Sequence, residues 1–112
     1  MIFLNRQVIT DGVMTGTSVL ESIPLNLQQM SRASLQVVWT GTPTGVLKLQ
    51  GSNNESDFVD IKEVNDVINN PAGAAGDLLL DINDISFKMI RLIYTNASGT
   101  GTLNVYAHAK GV

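Results

Sequence analysis

The chain has 112 residues, which is the length of one domain with a single hydrophobic core. It is 44% hydrophobic but only 15% charged, against about 25% in an average globular chain, so we expect it to bury surface against copies of itself or partners. The net charge of -3, with scattered Lys and Arg, argues against nucleic-acid binding, and the absence of Cys excludes a disulfide framework or a thiolate metal site.

The first ten residues, MIFLNRQVIT, begin with a short apolar run that Asn5 and Arg6 interrupt. Ile2, Phe3 and Leu4 are too few for the hydrophobic region of a signal peptide, and no later apolar run approaches a membrane span. We therefore expect synthesis in a cytoplasm without a visible export signal and no membrane partner. We also expect residues 1–112 to form one domain, with residues 1–10 as a candidate extended N-terminal arm.

The next segment, VLESIPLNL, predicts a strand whose apolar face is interrupted by Glu21. The residues expected on that face are Val19, Ile23, Leu25 and Leu27. Pro24 cannot donate a ladder hydrogen bond, which indicates an edge strand. No segment of the chain sustains helical periodicity over three turns.

Residues 37–53, VVWTGTPTGVLKLQGSN, predict two strands joined by a short loop. Alternation places Leu35, Val37 and Trp39 on one face of the first strand, and Leu47 and Leu49 on one face of the second. Because Gly and Pro in the loop can supply turn geometry, we expect these strands to pair as a hairpin.

The middle of the chain contains two further candidate strands, in DFVDIKEV and GDLLLDI. The segment DVINN and the loop NNPAGAAG lie between these two candidate strands. The Pro and Gly residues of the loop forbid regular structure there.

Residues 92–111, LIYTNASGTGTLNVYAHAKG, repeat the pattern of an aromatic residue, a Thr and a Gly/Thr loop. Before the loop, one face carries Ile90, Leu92 and Tyr94 and the other carries Met89, Arg91 and Ile93, which indicates a central strand. After the loop, the residues expected to be buried are Leu103, Val105, Ala107 and Ala109. We expect a second hairpin here. The similarity to residues 37–53 is local, so it does not indicate a duplicated domain.

Together these elements make about eight short strands separated by frequent turn signals, a pattern typical of all-β sandwiches and barrels. We predict an antiparallel two-sheet β-sandwich of jelly-roll or discoidin-like type.

The residues for catalysis are mostly missing. The single His, His108, is expected on an outward face beside Tyr106 and Lys110, so it provides neither a buried base for a nucleophile nor a zinc ligand set. Asp57, Asp60 and their acidic neighbours are interpreted as solvated loop acids, with a calcium site or a paired-carboxylate glycosidase site as less favoured alternatives. We expect no enzymatic activity, no cofactor and no metal.

Trp39 has two interpretations. Because it is in phase with Leu35 and Val37, it is expected to be a core residue whose N–H finds a partner near the loop. The alternative is a sugar-stacking platform, for which Asn53 and Asp57 would be the polar glycan contacts.

Two long segments, GTPTGVLKLQGSNNESDFVDI and AGAAGDLLLDINDISFKMIRLIYTNASGTGTLNVYAHAKG, resemble a family of small bacteriophage virion proteins with the pattern W-T-G-T-P-T-G…S-G-T-G-T-L-N. The matching parts are residues 39–53, 72–76, 91–94, 98–103 and 110–111, within a likeness covering about two thirds of the chain. Asn54 stands where the pattern often has Asp, and Phe58 is its middle aromatic. A weaker likeness, LKLQGSN…DFVDI…IRLIY, is similar to discoidin-type sandwiches over about a third of the chain.

The resemblance implies a non-enzymatic phage structural protein located in the virion: a capsid decoration or cement protein, or a small spike or fibre subunit. Its expected partners are copies of itself and other virion proteins such as the major capsid protein. From the apolar start of the chain and the two-faced strands, the candidate assembly contacts are Ile2, Phe3, Leu4, Met89, Ile93 and Tyr106. The alternative function is a carbohydrate-binding module for host or surface attachment.

Overall fold

The computed structural model describes residues 2–61, 71–83 and 85–111, and within them it contains nine strands. The strands are β1 (Ile2–Met14), β2 (Val19–Glu21), β3 (Leu25–Asn26), β4 (Arg32–Gly41), β5 (Thr44–Ser52), β6 (Val59–Asp60), β7 (Gly76–Asn83), β8 (Met89–Ser98) and β9 (Gly101–Gly111). A four-stranded sheet has the order β1-β9-β4-β7, and a five-stranded sheet has the order β2-β8-β5-β6 with β3 also on β8. The predicted all-β, antiparallel two-sheet fold is confirmed, with nine strands where we expected about eight.

The core lies between the two sheets. The four-stranded sheet contributes the buried faces of β4 and β9, including Leu35, Val37, Trp39, Leu103 and Val105. The five-stranded sheet contributes the buried faces of β5 and β8, namely Leu47, Leu49, Ile90, Leu92 and Tyr94. These are the faces that period-two alternation predicts. None of the described residues belongs to a helix long and apolar enough to cross a membrane.

The two expected hairpins are wrong. Strand β4 pairs with β7 and β9, whereas β5 pairs with β6 and β8. The loops after β4 and after β8 therefore carry the chain from one sheet to the other. Gly and Pro reverse the chain direction equally well in a hairpin and in a sandwich corner, and both leave one face of each strand buried, so alternation and turn residues do not separate the two.

The two crossings lie side by side. The β4–β9 pairing ends at Gly41↔Gly101, and the β5–β8 pairing begins at Thr44↔Ser98. We call residues 41–44 and 98–101 the corner loops. The chain passes from the four-stranded to the five-stranded sheet at the first loop and returns at the second, so two similar sequences build two adjacent corners.

Strands β2 and β3 form an edge of the five-stranded sheet, as Pro24 predicts, because in the described part of the chain both pair with β8 alone. The expected apolar face is only half correct. Leu25 and Leu27 are buried, but Val19 is 60% exposed and Ile23 is 45% exposed. The chain changes phase around Pro24, so Leu20 and Ser22 face inward before it.

Residues 2–14 form strand β1, which pairs with β9 from Ile2↔Gly111 to Met14↔Gly101. The segment expected as a candidate arm therefore lies on the four-stranded sheet as an edge strand. Further along, DFVDIKEV contributes the short strand β6, and GDLLLDI lies within β7. The segment DVINN lies outside the described residues.

Candidate functional surfaces

The corner loops touch through their backbones. Gly41 and Gly99 both have positive φ, 84° and 75°, and a Cβ on either would overlap a carbonyl oxygen of the opposite loop, Thr100 O or Thr42 O. Thr42 N donates a hydrogen bond of 2.9 Å to Thr100 O. The glycines of the two Gly/Thr motifs are therefore needed for close approach of one loop to the other, and backbone groups that face each other are not free to bind a ligand.

Beneath the corner loops lies a buried polar cluster. The Tyr94 hydroxyl donates to Asn96 Oδ1 at 2.6 Å, and Asn96 Nδ2 donates to Gly16 O at 2.9 Å and Gly99 O at 3.2 Å. Burial raises the pKa of the Tyr94 hydroxyl from its ordinary value of 10.0. Gly45 faces the ring, where a Cβ would overlap the phenol oxygen. The cluster joins the β1–β2 turn to the second corner loop, so it stabilises the fold.

Trp39 belongs to the core, as its phase predicts. Its ring is buried against Gly76, and its Nε1–H donates to Ala74 O at 2.8 Å. The expectation of a partner near a loop is confirmed. A ring enclosed on the inner face of the four-stranded sheet cannot stack on a sugar in solvent.

The other two candidate glycan contacts, Asn53 and Asp57, are exposed and lie far from Trp39. They follow β5, which leads away from the corner loops for nine residues, or about 30 Å at 3.3 Å per residue. Together with Val59 and Phe87, they line an open groove of about 460 Å³. The structure therefore brings Asn53 and Asp57 together and leaves Trp39 at the opposite end of the sandwich.

The turn at residues 52–57 is built by side-chain hydrogen bonds. Asn54 Oδ1 accepts from Ser56 N at 3.1 Å and from Asp57 N at 2.8 Å, while Asn54 Nδ2 donates to Asp57 Oδ2 at 2.8 Å. Asn53 Oδ1 accepts from Lys88 N at 2.9 Å. The side-chain amides of Asn53 and Asn54, which could bind a polar ligand, are thus largely engaged in hydrogen bonds within the protein.

A row of polar residues crosses the outer face of the five-stranded sheet. Arg91 Nη1 is paired with Glu21 Oε1, Arg91 Nε donates to Gln50 Oε1 at 2.9 Å, and Gln50 Nε2 donates to Asp60 Oδ1 at 2.9 Å. The Arg91 guanidinium also lies 4.2 Å from the centre of the Phe58 ring. Sequence reasoning missed this row because alternation shows that Arg91 points outward but not which strands lie beside it.

The candidate assembly contacts divide between two opposite faces. Phe3 and Tyr106 are 59% and 43% exposed on the outer face of the four-stranded sheet, whereas Met89 and Ile93 are half-buried on the outer face of the five-stranded sheet. Leu4 packs against the core. The backbone of Ile2 belongs to β1, and its side chain lies outside the described residues.

The outer face of the four-stranded sheet also carries Leu79, which is 67% exposed and which sequence reasoning missed. Cross-strand register places Gln36 between Leu79 and Tyr106. The residues around this row line an open trough of about 610 Å³. Within the run of three leucines in β7, alternation alone could have assigned Leu79 to the outside.

The structure brings no catalytic set together in the part of the chain it describes. His108 is exposed, as expected, with its Nδ1 paired to Asn5 Oδ1 and its ring centre 6.0 Å from that of Phe3. Among residues 2–61, 71–83 and 85–111, no group of three or more His, Cys, Asp or Glu side chains could hold a metal ion. Each buried polar side-chain atom in those ranges has a hydrogen-bond partner.

Comparison with known proteins finds similarity in fold alone. No family model matches the chain, and no curated protein matches it in sequence. Among solved structures, the SPBc2 prophage-derived protein YomS is similar with a TM-score of 0.63 and 10% identity, over 96% of this chain and 92% of that one. The infectious bursal disease virus VP2 subviral particle is similar with a TM-score of 0.59 and 9% identity, over 98% of this chain. The chain spans only 32% of the length of that virus protein.

A third similar structure comes from Bacillus endospore appendages, described as disulfide-linked pili, with a TM-score of 0.50 and 12% identity. The match covers 98% of this chain and 89% of the appendage protein. All of these identities are low, so the likeness extends to the two-sheet architecture alone.

Proposed function

We propose that the chain is a non-enzymatic structural subunit of a bacteriophage virion. The observation that carries the proposal is the fold shared with the prophage-derived YomS over nearly the full length of both chains. The similarity to part of the infectious bursal disease virus VP2 chain and the resemblance to small phage virion proteins support the same class. The finer proposal is a capsid decoration or cement protein, or a small spike or fibre subunit, that contacts copies of itself and the major capsid protein.

The surface of the four-stranded sheet supports an assembly role. Phe3, Leu79 and Tyr106 expose large apolar side chains on one face. Exposed apolar area on a small protein is typical of sites where another protein docks. The chain also carries few charges for its length, which favours buried contacts over an isolated existence in water.

Purified phage particles provide the test. Virions of a phage that carries this coding sequence should contain the chain in a fixed ratio to the major capsid protein, measured by quantitative mass spectrometry of gradient-purified particles. A copy number of the same order as that of the major capsid protein would indicate decoration, and a much smaller copy number would indicate a spike or fibre. Expression in infected cells without the chain in virions would contradict the proposal.

The carbohydrate-binding alternative retains one surface. The groove lined by Asn53, Asp57 and Phe87 is open, but Trp39, the expected stacking platform, is buried in the core at the opposite end of the sandwich. A glycan array on the purified protein tests it. Binding that is lost in Asp57→Ala and kept in Asp77→Ala would favour this alternative.

A further inference from the structure

The outer face of the four-stranded sheet carries charged residues near one end of its strands. The cross-strand register aligns Phe3, Lys110, Arg32 and Asn83 in one row across β1, β9, β4 and β7. Asp81 precedes Asn83 by two residues, so it lies on the same side of β7, one row further along. All five side chains are exposed, on the face opposite to the core.

These charges are not neutralised within the sheet. Lys110 and Arg32 lie directly opposite each other on β9 and β4, an unfavourable arrangement of like charges. In the described part of the chain, neither of these cations belongs to an ion pair, and nor does Asp81. The three residues line an open hollow of about 230 Å³. On the outer face of the other sheet, by contrast, Arg91 is paired with Glu21.

Two exposed apolar side chains mark opposite corners of one patch on this face. Phe3 on β1 is 59% exposed, and Leu79 on β7 is 67% exposed. Three strand spacings of about 4.8 Å separate β1 from β7, which makes the patch about 14 Å wide. The four residues from Leu79 to Asn83, which lies in the row of Phe3, also span about 14 Å. The patch is therefore nearly square.

A twofold rotation about the other diagonal of this square exchanges the two apolar corners. That diagonal runs from Gln7 to Asn83. When the rotation lays a second copy face to face on the first, Leu79 of one copy lies over Phe3 of the other. The strands of the two sheets then cross at about 90°, which is one of the two geometries in which β-sheets pack.

The same rotation matches the charges. A diagonal exchanges two sides of a square, so the row that contains Lys110 and Arg32 lies along β7 of the second copy. Asp81 of that copy then falls between the two cations, offset along β7 by about 2–3 Å from each. Every contact occurs twice, because a twofold interface uses the same patch on both copies.

We propose that two copies of this chain form a symmetric dimer through the outer face of the four-stranded sheet, with Phe3 against Leu79 and Asp81 between Lys110 and Arg32. The inference rests on the assembly role proposed above, because it names a second copy as the partner of the surface that supports that role. The patch is small for a protein interface, so we expect a dissociation constant in the micromolar range.

Charge reversal tests the contact. Asp81→Lys leaves only basic residues at these three positions, and the double variant Arg32→Glu/Lys110→Glu leaves only acidic ones. Either variant alone places like charges together at both ends of the dimer, so we expect its dissociation constant in analytical ultracentrifugation to rise about tenfold or more. In an equimolar mixture every charge contact joins opposite signs, and we expect dimers of nearly wild-type affinity. Circular dichroism checks that each variant keeps the fold.

Asp77→Lys is the matched control. It makes the same charge change on the same face of β7, two residues beyond Leu79 and outside the patch, so we expect wild-type dimerisation. Wild-type protein that stays monomeric at about 100 μM, a mixture that fails to recover, or equal weakening by Asp77→Lys would overturn the inference. Dimers in solution with no chain in virions would overturn the proposed function alone, and a monomer found in virions would overturn this inference alone.

Cross-linking tests the position of the twofold axis. The chain has no Cys, so Phe3→Cys and Leu79→Cys each introduce a single thiol. A bismaleimide about 10 Å long, the spacing of packed sheets, should join the two variants when they are mixed. It should not join either variant to itself, because identical positions lie about 20 Å apart in the proposed dimer. Equal cross-linking of identical and mixed variants, or none in the mixture, would contradict this axis.

Discussion

The two ends of the sandwich are held together in different ways. At the corner end, two loops meet backbone to backbone, with glycines where any side chain would collide and the Tyr94–Asn96 pair buried beneath them. At the other end, the turn at residues 52–57 is held by the exposed side chain of Asn54, and it borders an open groove. We therefore expect substitutions in the corner loops to cost more stability than substitutions in the 52–57 turn.

This difference explains why the repeated Gly/Thr motif is not a binding site. The repeated residues are those that let the two sheet crossings lie against each other. A surface that contacts partners would instead be sought on the sheet edges and outer faces, where Arg6, Asp77 and Leu79 are exposed.

The largest expected effect is at Gly99. Gly99→Ala combines a positive φ of 75° with overlap against Thr42 O, so we expect a loss of about 2–4 kcal/mol in the free energy of unfolding. Urea denaturation followed by Trp39 fluorescence measures it. Gly16→Ala is the matched control, since Gly16 has a φ of 55° but nothing within 4 Å of an added Cβ, and we expect about 1 kcal/mol. Equal losses would show that loop contact contributes nothing.

The next effect is at Tyr94. Tyr94→Phe removes the hydroxyl that donates to Asn96 Oδ1, and leaves a buried acceptor without its donor, at a cost of about 1–3 kcal/mol. Tyr106→Phe removes a hydroxyl from an exposed ring, and we expect a change within about 0.5 kcal/mol. The same urea denaturation compares the two. A larger loss in Tyr106→Phe would contradict the assignment of Tyr94 as the stabilising hydroxyl.

Alkaline pH provides a further test of the same group. Well below pH 10.0, the Tyr94 hydroxyl is protonated in both folded and unfolded chains and contributes no pH dependence. Above it, the unfolded chain loses this proton first because burial raises the pKa of Tyr94 in the folded protein, so stability falls as pH rises. We expect the fall in unfolding free energy to be shallower in Tyr94→Phe than in the wild-type protein. Parallel pH profiles would contradict this origin.

How far the sequence predicts the fold differs between these regions. Alternation correctly assigned the buried faces of β4, β5, β8 and β9, because a strand in a two-sheet sandwich has one inner face whatever its neighbours are. It could not tell a hairpin from a corner, since strand pairing depends on contacts distant in sequence, such as Trp39 with Leu103. It also failed at Pro24, where a change of phase moved Val19 and Ile23 to the surface.

The candidate surfaces follow the same division. Exposure of Tyr106 and His108 could be predicted because each is on the outer side of an alternating strand, whereas the continuous apolar run from Ile2 to Leu4 does not show which side Phe3 takes. The row from Glu21 through Arg91 to Gln50 could not, because it requires knowing that β2, β8 and β5 are neighbours.

The smallest expected effect is at Asn54, in the 52–57 turn at the end of the sandwich opposite the corner loops. Asn54→Ala removes the acceptor for Ser56 N and Asp57 N, but water can replace it at this exposed position, so we expect a loss of about 0.5–1.5 kcal/mol. Ser56→Ala, which removes only a weak hydroxyl contact, should change stability by less than about 0.5 kcal/mol. Because the hydrogen bonds of Asn54 are exposed to water, whereas a Cβ on Gly99 would overlap a backbone oxygen, Asn54→Ala should cost less than Gly99→Ala. A larger loss at Asn54 would mean that the 52–57 turn, and not the pair of corner loops, is the more constrained end of the sandwich.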